Sequence, residues 1–274
     1  MGNRNFFIVA ALFAASSLGA VAHAQSYSYT QIQQSGGIST TPRSINNSGV
    51  VVGISGSTNS ASFKLEDGSF STIAIPNTSF VRARGINNDG AIVGFLRETG
   101  TSNNKTFVQS GGVVSTFGLT GSNVNGTAIN DLGSFVGGYT VSGTGFAYKN
   151  VGGVFSAISI PGQTTSLATG ITNSGAVTGY FQNAAGIYNG FLEQDNVVTT
   201  FSLPGASWTQ PLGINNNGDI VGVYTLVPSG PEKAFVKIGD VYTLLDVPAY
   251  LSGGPLYFNA TDINDNGVIV GYVA

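Results

Sequence analysis

One ten-residue stretch, Gly85-Ile86-Asn87-Asn88-Asp89-Gly90-Ala91-Ile92-Val93-Gly94, is one of six similar copies in a chain of 274 residues. The other copies start at Ser44, Ala128, Gly170, Gly213 and Asp262. The motif isoleucines, Ile45, Ile86, Ile129, Ile171, Ile214 and Ile263, lie 41, 43, 42, 43 and 49 residues apart. A unit of this size cannot bury its apolar face alone and must stack on its neighbours. A period of about 40 to 50 residues with strand-like content is the pattern of propeller blades of about four strands.

Each repeat divides into four segments. Segment A leads into the motif isoleucine, and segment B is the Ile92-Val93-Gly94 type. Between them Asn-Asn-x-Gly supplies side chains that bond their own turn and a glycine able to take positive φ, the chemistry of a short hairpin with a bulge. Segment C carries Phe63, Phe107, Phe146, Phe191 or Phe235, and ends in tips such as Asp67-Gly68 and Gly111-Gly112. Segment D is a β-branched run that stops near Pro76, Pro161, Pro204 or Pro248, because proline cannot continue a ladder. Tyr29 to Ile32 reads as a D with no C before it, and Val268 to Ala274 as a B with no C after it.

The fold expected is therefore all-β, a repeat protein forming a single six-bladed β-propeller. Grouping the chain as D-A-B-C leaves the last blade short of its C strand. Grouping it as A-B-C-D needs the first D to close the last blade as a clasp. Either grouping gives an approximately six-bladed propeller, and an open β-solenoid or sandwich is the rival architecture.

Arg4 followed by the apolar run from Phe6 to Ala22, with Ala22-His23-Ala24 as a small-x-small site, reads as a signal peptide over residues 1–24. The repeat domain is then 25–274, secreted to a periplasmic or extracellular location. No later stretch reaches the roughly 18 apolar residues that span a bilayer. Cysteine is absent and His23 is the single histidine. A Ser-His-Asp triad, a Cys nucleophile and a His-ligated metal centre are thus excluded from the repeat domain. Lys plus Arg number 10 against 13 Asp plus Glu, a balance with no electrostatic footprint for nucleic acid or anionic lipid.

The Gly/Ala-Ile-Asn-Asn/Asp-x-Gly-x-Ile-Val-Gly copies, the segment C phenylalanine and the Pro161-Gly162 and Pro204-Gly205 ends resemble the bacterial extracellular HAF-repeat family. The resemblance covers nearly the whole repeat domain and implies an exported protein without implying an activity. The His-Ala-Phe of that family is replaced by Ala61-Ser62-Phe63, Lys105-Thr106-Phe107, Thr144-Gly145-Phe146, Asn189-Gly190-Phe191 and Lys233-Ala234-Phe235. No role resting on those histidines carries over.

The chemistry available is sparse. Asp262, Asn264 and Asn266 open like a calcium loop, but Val273 stands where the late acid belongs. A hairpin turn explains them better, and no cofactor is expected. Glu66-Asp67 and Glu193 with Asp195 could serve as paired carboxylates on a sugar, yet both pairs fall at hairpin tips.

The positions before each motif isoleucine vary most. One and three residues before it, the side chains are nearly all small, as in Ala83 and Gly85, which allows close approach of a neighbouring strand. On the opposite face the candidate ligand-binding residues are Arg43, Phe80, Arg82, Arg84, Asn123, Asn125, Trp208, Gln210, Tyr257 and Asn259. Aromatic, amide and guanidinium groups on a fixed scaffold suit a sugar or polyol. The expected function is an exported, non-enzymatic binding or structural module for a glycan, a cell-surface polymer or an extracellular protein. The alternative is a carbohydrate-active hydrolase or lyase on a propeller.

Overall fold

The structure is a computed structural model and describes residues 5–11, 27–32, 34, 38–56, 61–120, 122–246 and 257–273. Strands β1 (Asn5–Ala11) and β2 (Tyr27–Ile32) precede the first complete repeat. Then follow β3 (Thr40–Ile45), β4 (Val51–Ser55), β5 (Ala61–Glu66) and β6 (Ser69–Ile73), joined in that order as one antiparallel sheet. The next sheet is β7 (Thr78–Ile86), β8 (Ile92–Glu98), β9 (Lys105–Ser110) and β10 (Val113–Phe117). The third is β11 (Val124–Ile129), β12 (Phe135–Val141), β13 (Thr144–Val151) and β14 (Val154–Ala157). The fourth is β15 (Gln163–Ile171), β16 (Val177–Asn183), β17 (Tyr188–Gln194) and β18 (Val197–Phe201). The fifth is β19 (Trp208–Ile214), β20 (Ile220–Thr225), β21 (Lys233–Ile238) and β22 (Val241–Leu245). Last come β23 (Phe258–Ile263) and β24 (Val268–Val273).

The arrangement is a β-propeller. Five blades are contiguous A-B-C-D segments, and a sheet of order β23-β24-β1-β2 draws on both chain ends. Strands β3, β7, β11, β15, β19 and β23 stand beside one another in turn, and β23 stands beside β3. The D-A-B-C grouping therefore does not hold. The first D segment, β2, closes the last sheet as a clasp. The vacant C position is taken by β1, which lies within the stretch read as a signal peptide. The cleavage position after Ala24 and Pro248 lie outside the described residues.

The core lies between blades. Val52 and Ile73 of the first blade pack with Val81, Ile92, Leu96 and Phe107 of the second. Val221, Val236 and Leu245 of the fifth pack with Phe258, Ile263 and Ile269 of the last sheet. Blade faces rich in Val, Ile and Phe thus bury one another, and removal of this apolar area from water drives the stacking.

The motif glycine has a packing reason. Gly53, Gly94, Gly137, Gly179 and Gly222 pair with Phe63, Phe107, Tyr148, Phe191 and Phe235 on the neighbouring C strand. A Cβ on Gly94 would overlap the Arg82 carbonyl and lie 2.9 Å from the Phe107 ring. The same carbonyl, four residues before the motif isoleucine, blocks a Cβ at each of the six motif glycines. In the third blade the aromatic partner is Tyr148, which is 1 % exposed, rather than the expected Phe146. In the last sheet Phe7 of β1 holds the matching register position, opposite Gly271.

Candidate functional site

The motif turns form a ring at one end of the central channel. Each ends in a positive-φ glycine: Gly49, Gly90, Gly133, Gly175, Gly218 and Gly267. The residue after each isoleucine caps its own turn, as where Asn46 Oδ1 accepts from Ser48 N and Val50 N. Its amide then donates to the next blade. Asn46 reaches Asn87 O, Asn87 reaches Asn130 O and Asn130 reaches Thr172 O. Asn215 reaches Asn264 O, and Asn264 reaches Asn46 O. The link from Thr172 to Asn215 is missing, because threonine has no amide to donate.

One position further on the circle is complete. The backbone N–H of Asn47, Asn88, Asp131, Asn173, Asn216 and Asp265 each donates to the next residue's Oδ1, at 2.7–2.9 Å, with Asp265 returning to Asn47. Asp131 and Asp265 stand three places apart in this circle of six. Each Oδ2 accepts two asparagine amides, from Asn88 and Asn173 at one and from Asn47 and Asn216 at the other. Burial pushes both carboxyls up, but these hydrogen bonds outweigh it and hold both below the ordinary value. The motif is therefore an inter-blade clasp as well as a hairpin device.

Above the ring every inner strand carries a β-bulge at the same place, two residues before the isoleucine. The bulged residues are Arg43, Arg84, Thr127, Thr169, Leu212 and Thr261. A bulge re-aims a side chain, and all of these residues but Leu212 are polar. Thr127, Thr169 and Thr261 donate to the next inner strand, at Ala168 O, Pro211 O and Pro42 O. Arg43, Arg84 and Leu212 project into a central cavity of about 270 Å³ lined by all six inner strands. A smaller space of about 70 Å³ lies on the turn side, and Ser44, Ala128 and Asp262 line both.

The small residues beside the bulge let the inner strands approach, as expected. A Cβ on Gly85 would lie 2.9 Å from Ala128 Cα, and one on Gly213 would lie 2.8 Å from Asp262 Cα. Ser44 and Asp262 replace the small residue where β23 meets β3. Asp262 Oδ2 accepts from Ser44 Oγ at 2.6 Å and from Ile45 N at 3.1 Å, and Ser44 Oγ accepts from Ile86 N. Burial pushes the Asp262 carboxyl up to about 6 despite these donors.

The sequence candidates separate into two groups. Arg43, Arg84, Gln210 and Asn259 line the cavity. Phe80, Arg82, Asn123, Asn125, Trp208 and Tyr257 do not. Tyr257 is 44 % exposed. Asn123 Oδ1 and Asn125 Oδ1 hold Asn104, whose Oδ1 accepts from Arg97. Of the residues weighed for calcium, Asp262 closes the strand junction. Asn264 and Asn266 bond their own turn and the backbone of Asn46 and Asn47. Among the described residues no group of three or more His, Cys, Asp or Glu could hold a metal ion.

Tyr180, Tyr272, Val223, Leu167, Leu212 and Glu232 also line the cavity and were not anticipated. Tyr180, Val223 and Tyr272 each follow a motif glycine, a position as variable from copy to copy as segment A. Asn259 Nδ2 donates to Glu232 Oε2 at 3.0 Å.

The acids weighed for catalysis lie elsewhere. Glu66 pairs with Lys64, and Glu193 pairs with Lys149 of the preceding blade. Asp67 and Asp195 are positive-φ turn residues.

The arginines of the second blade form a stack. The guanidinium of Arg97 lies 5.1 Å from the Phe80 ring centroid and Arg82 5.3 Å from the same ring. Arg82 is also 5.8 Å from Phe95, and Arg84 is 5.3 Å from Phe95. Burial, then the neighbouring charges of Arg43 and Arg82, lower the Arg84 pKa to about 9.

No family model matches the sequence, and no curated protein sequence matches it. The fold is similar to that of a protein assigned as TolB from Agrobacterium tumefaciens, with a TM-score of 0.65 and 12% identity over 99% of both chains. TolB from Acinetobacter baumannii gives a TM-score of 0.55 at 11% identity, covering 99% of this chain and 64% of that one. At this level of identity the likeness shows the propeller fold alone.

Proposed function

We propose that the protein is an exported, non-enzymatic binding propeller whose ligand occupies the central cavity. The observation that carries this reading is the cavity itself. All six inner strands contribute to it from equivalent bulges and the positions beside them, and those positions change from copy to copy on a constant scaffold. Function grafted on a fold has this form. A volume of about 270 Å³ lies just below the roughly 300–1,000 Å³ of small-molecule sites. It suits one sugar ring or one projecting side chain rather than a length of polymer. A glycan would be held by its end.

Export with cleavage after Ala24, kinship with the HAF-repeat family and a six-bladed exported form belong to this proposal, on the motifs that suggest them. The TolB-like neighbours and the lack of a helix long and apolar enough to cross a membrane among the described residues are compatible with a periplasmic or extracellular place and with a protein partner. One observation favours the enzyme alternative: Glu232 and Asp262 line the same cavity. Asp262, however, spends its Oδ2 on Ser44 and Ile45.

Retention of the exported chain on immobilised glycans tests the binding reading. Gln210→Ala and Asn259→Ala should abolish retention, and Trp208→Ala should leave it. Equal loss with Trp208→Ala would move the site out of the cavity, and turnover of the glycan that Glu232→Gln removes would establish the enzyme.

A further inference from the structure

We propose that the β3–β7 side of the cavity is an oxyanion site, with Arg84 at its centre, selecting a ligand that carries a carboxylate or a similar anionic oxygen group. This rests on the cavity being the binding site. Arg43 and Arg84 occupy the same bulge position on adjacent inner strands and both line the cavity.

The Arg84 guanidinium stacks on the face of Phe95, and the charges of Arg43 and Arg82 and the tyrosines Tyr180 and Tyr272 act on it. Among the described residues its Nε is buried and has no hydrogen-bond partner, and neither Arg82 nor Arg84 meets a carboxylate within ion-pair distance. Stacking satisfies the face of a guanidinium. Its N–H donors lie in the plane, and the one on the buried Nε remains to be met. A buried N–H without a partner is costly, and a perturbed charged group in a cavity marks a candidate functional site.

The cavity's carboxylates do not complete it. Glu232 accepts from Asn259, and Asp262 accepts from Ser44 and Ile45. The cavity is therefore polarised, with guanidinium groups on β3 and β7 and amide and carboxylate groups on and near β19 and β23. A sugar acid fits that division. Its carboxylate takes the arginine fork in bidentate geometry, and its hydroxyls donate to Glu232 and to the amide oxygens of Gln210 and Asn259. The tyrosines Tyr180 and Tyr272 supply the remaining wall.

The test is calorimetric titration and thermal melting of the exported chain with three probes: D-glucuronate, D-glucose and inorganic phosphate. Glucuronate should bind at least tenfold more tightly than glucose. Arg84→Met should cost glucuronate at least tenfold and leave glucose unchanged, and Arg84→Lys should lose part of that. In anion-free buffer Arg84→Met should melt higher than the parent, because the uncompensated charge is gone, and phosphate should no longer raise its melting point. Binding of both anions supports the site, and binding of phosphate alone supports it with a phosphoryl source. Equal affinity for glucose and glucuronate, or glucuronate binding retained in Arg84→Met, overturns the oxyanion site. The cavity reading then survives if Gln210→Ala still abolishes binding and fails if it does not. Absence of binding by every probe also overturns the oxyanion site.

Discussion

Replacing Asp262 by asparagine should change how stability depends on pH, and the size of the change follows from its surroundings. The half-buried carboxylate lies between β23 and β3, where hydrogen bonds from Ser44, Ile45 and Ile263 fail to offset the loss of water, and its pKa rises from 3.8 to about 6. The folded state thus holds this proton more tightly than the unfolded chain. The contribution is fully present below pH 3.8, falls as the pH climbs, and is lost above about 6. At about 1.4 kcal/mol per pKa unit the loss is roughly 3 kcal/mol. Asparagine does not titrate, and its Oδ1 can still accept from Ser44. Urea unfolding of parent and Asp262→Asn between pH 4 and pH 8 should show the variant gaining on the parent across the interval to pH 6, then a constant difference. Asp131 and Asp265 have lowered pKa values and act in the opposite sense, but they are common to both proteins and cancel. A difference that stays flat from pH 4 to pH 8 would refute the buried junction.

Three other outcomes follow. Gly94→Ala places a Cβ into the Arg82 carbonyl and should cost about 1–3 kcal/mol or more in urea unfolding, since the backbone must shift. Thr172→Asn supplies the amide that the clasp lacks toward Asn215 and should stabilise by about 1 kcal/mol, the net worth of one hydrogen bond, in the same assay. A chain beginning at Gln25 lacks β1, the strand between β24 and β2. It should show faster amide exchange along Val268–Val273, and a peptide spanning residues 4–12 should restore protection.

The propeller was legible because the signals that define it are local and repeated. The period, the Asn-Asn-x-Gly turns and the apolar B strands all point to stacked blades, and the turn glycines do take positive φ. The closing arrangement was harder, because which strand fills a vacant place is a non-local question and β1 bears no motif. The site was half legible. Period-2 reasoning places Phe80, Arg82 and Arg84 on one face, but it carries no depth along the strand. The bulge at Arg84 resets the alternation, so the residue two before the isoleucine lines the cavity on every inner strand and the residue four before it only at Leu167, Gln210 and Asn259, while Trp208 and Tyr257, six before, do not. Tyr180 and Tyr272 were missed because B strands read as pure core. The copy-to-copy change after the motif glycine, through Ile54, Phe95, Gly138, Tyr180, Val223 and Tyr272, was the signal available. The clasp was not legible at all, since a hydrogen bond between residues some 42 apart leaves no mark on either turn.

The closed circle of motif turns is what makes six copies one molecule around one cavity. The backbone N–H groups of Asn47, Asn88, Asp131, Asn173, Asn216 and Asp265 sit in solvent-side turns, where amides ordinarily exchange fast. Native-state hydrogen exchange followed by NMR should find all six protected, and Asn264→Ala should weaken them together. Exchange of these six amides at unprotected rates, or protection that stops between Asp265 and Asn47, would contradict the ring.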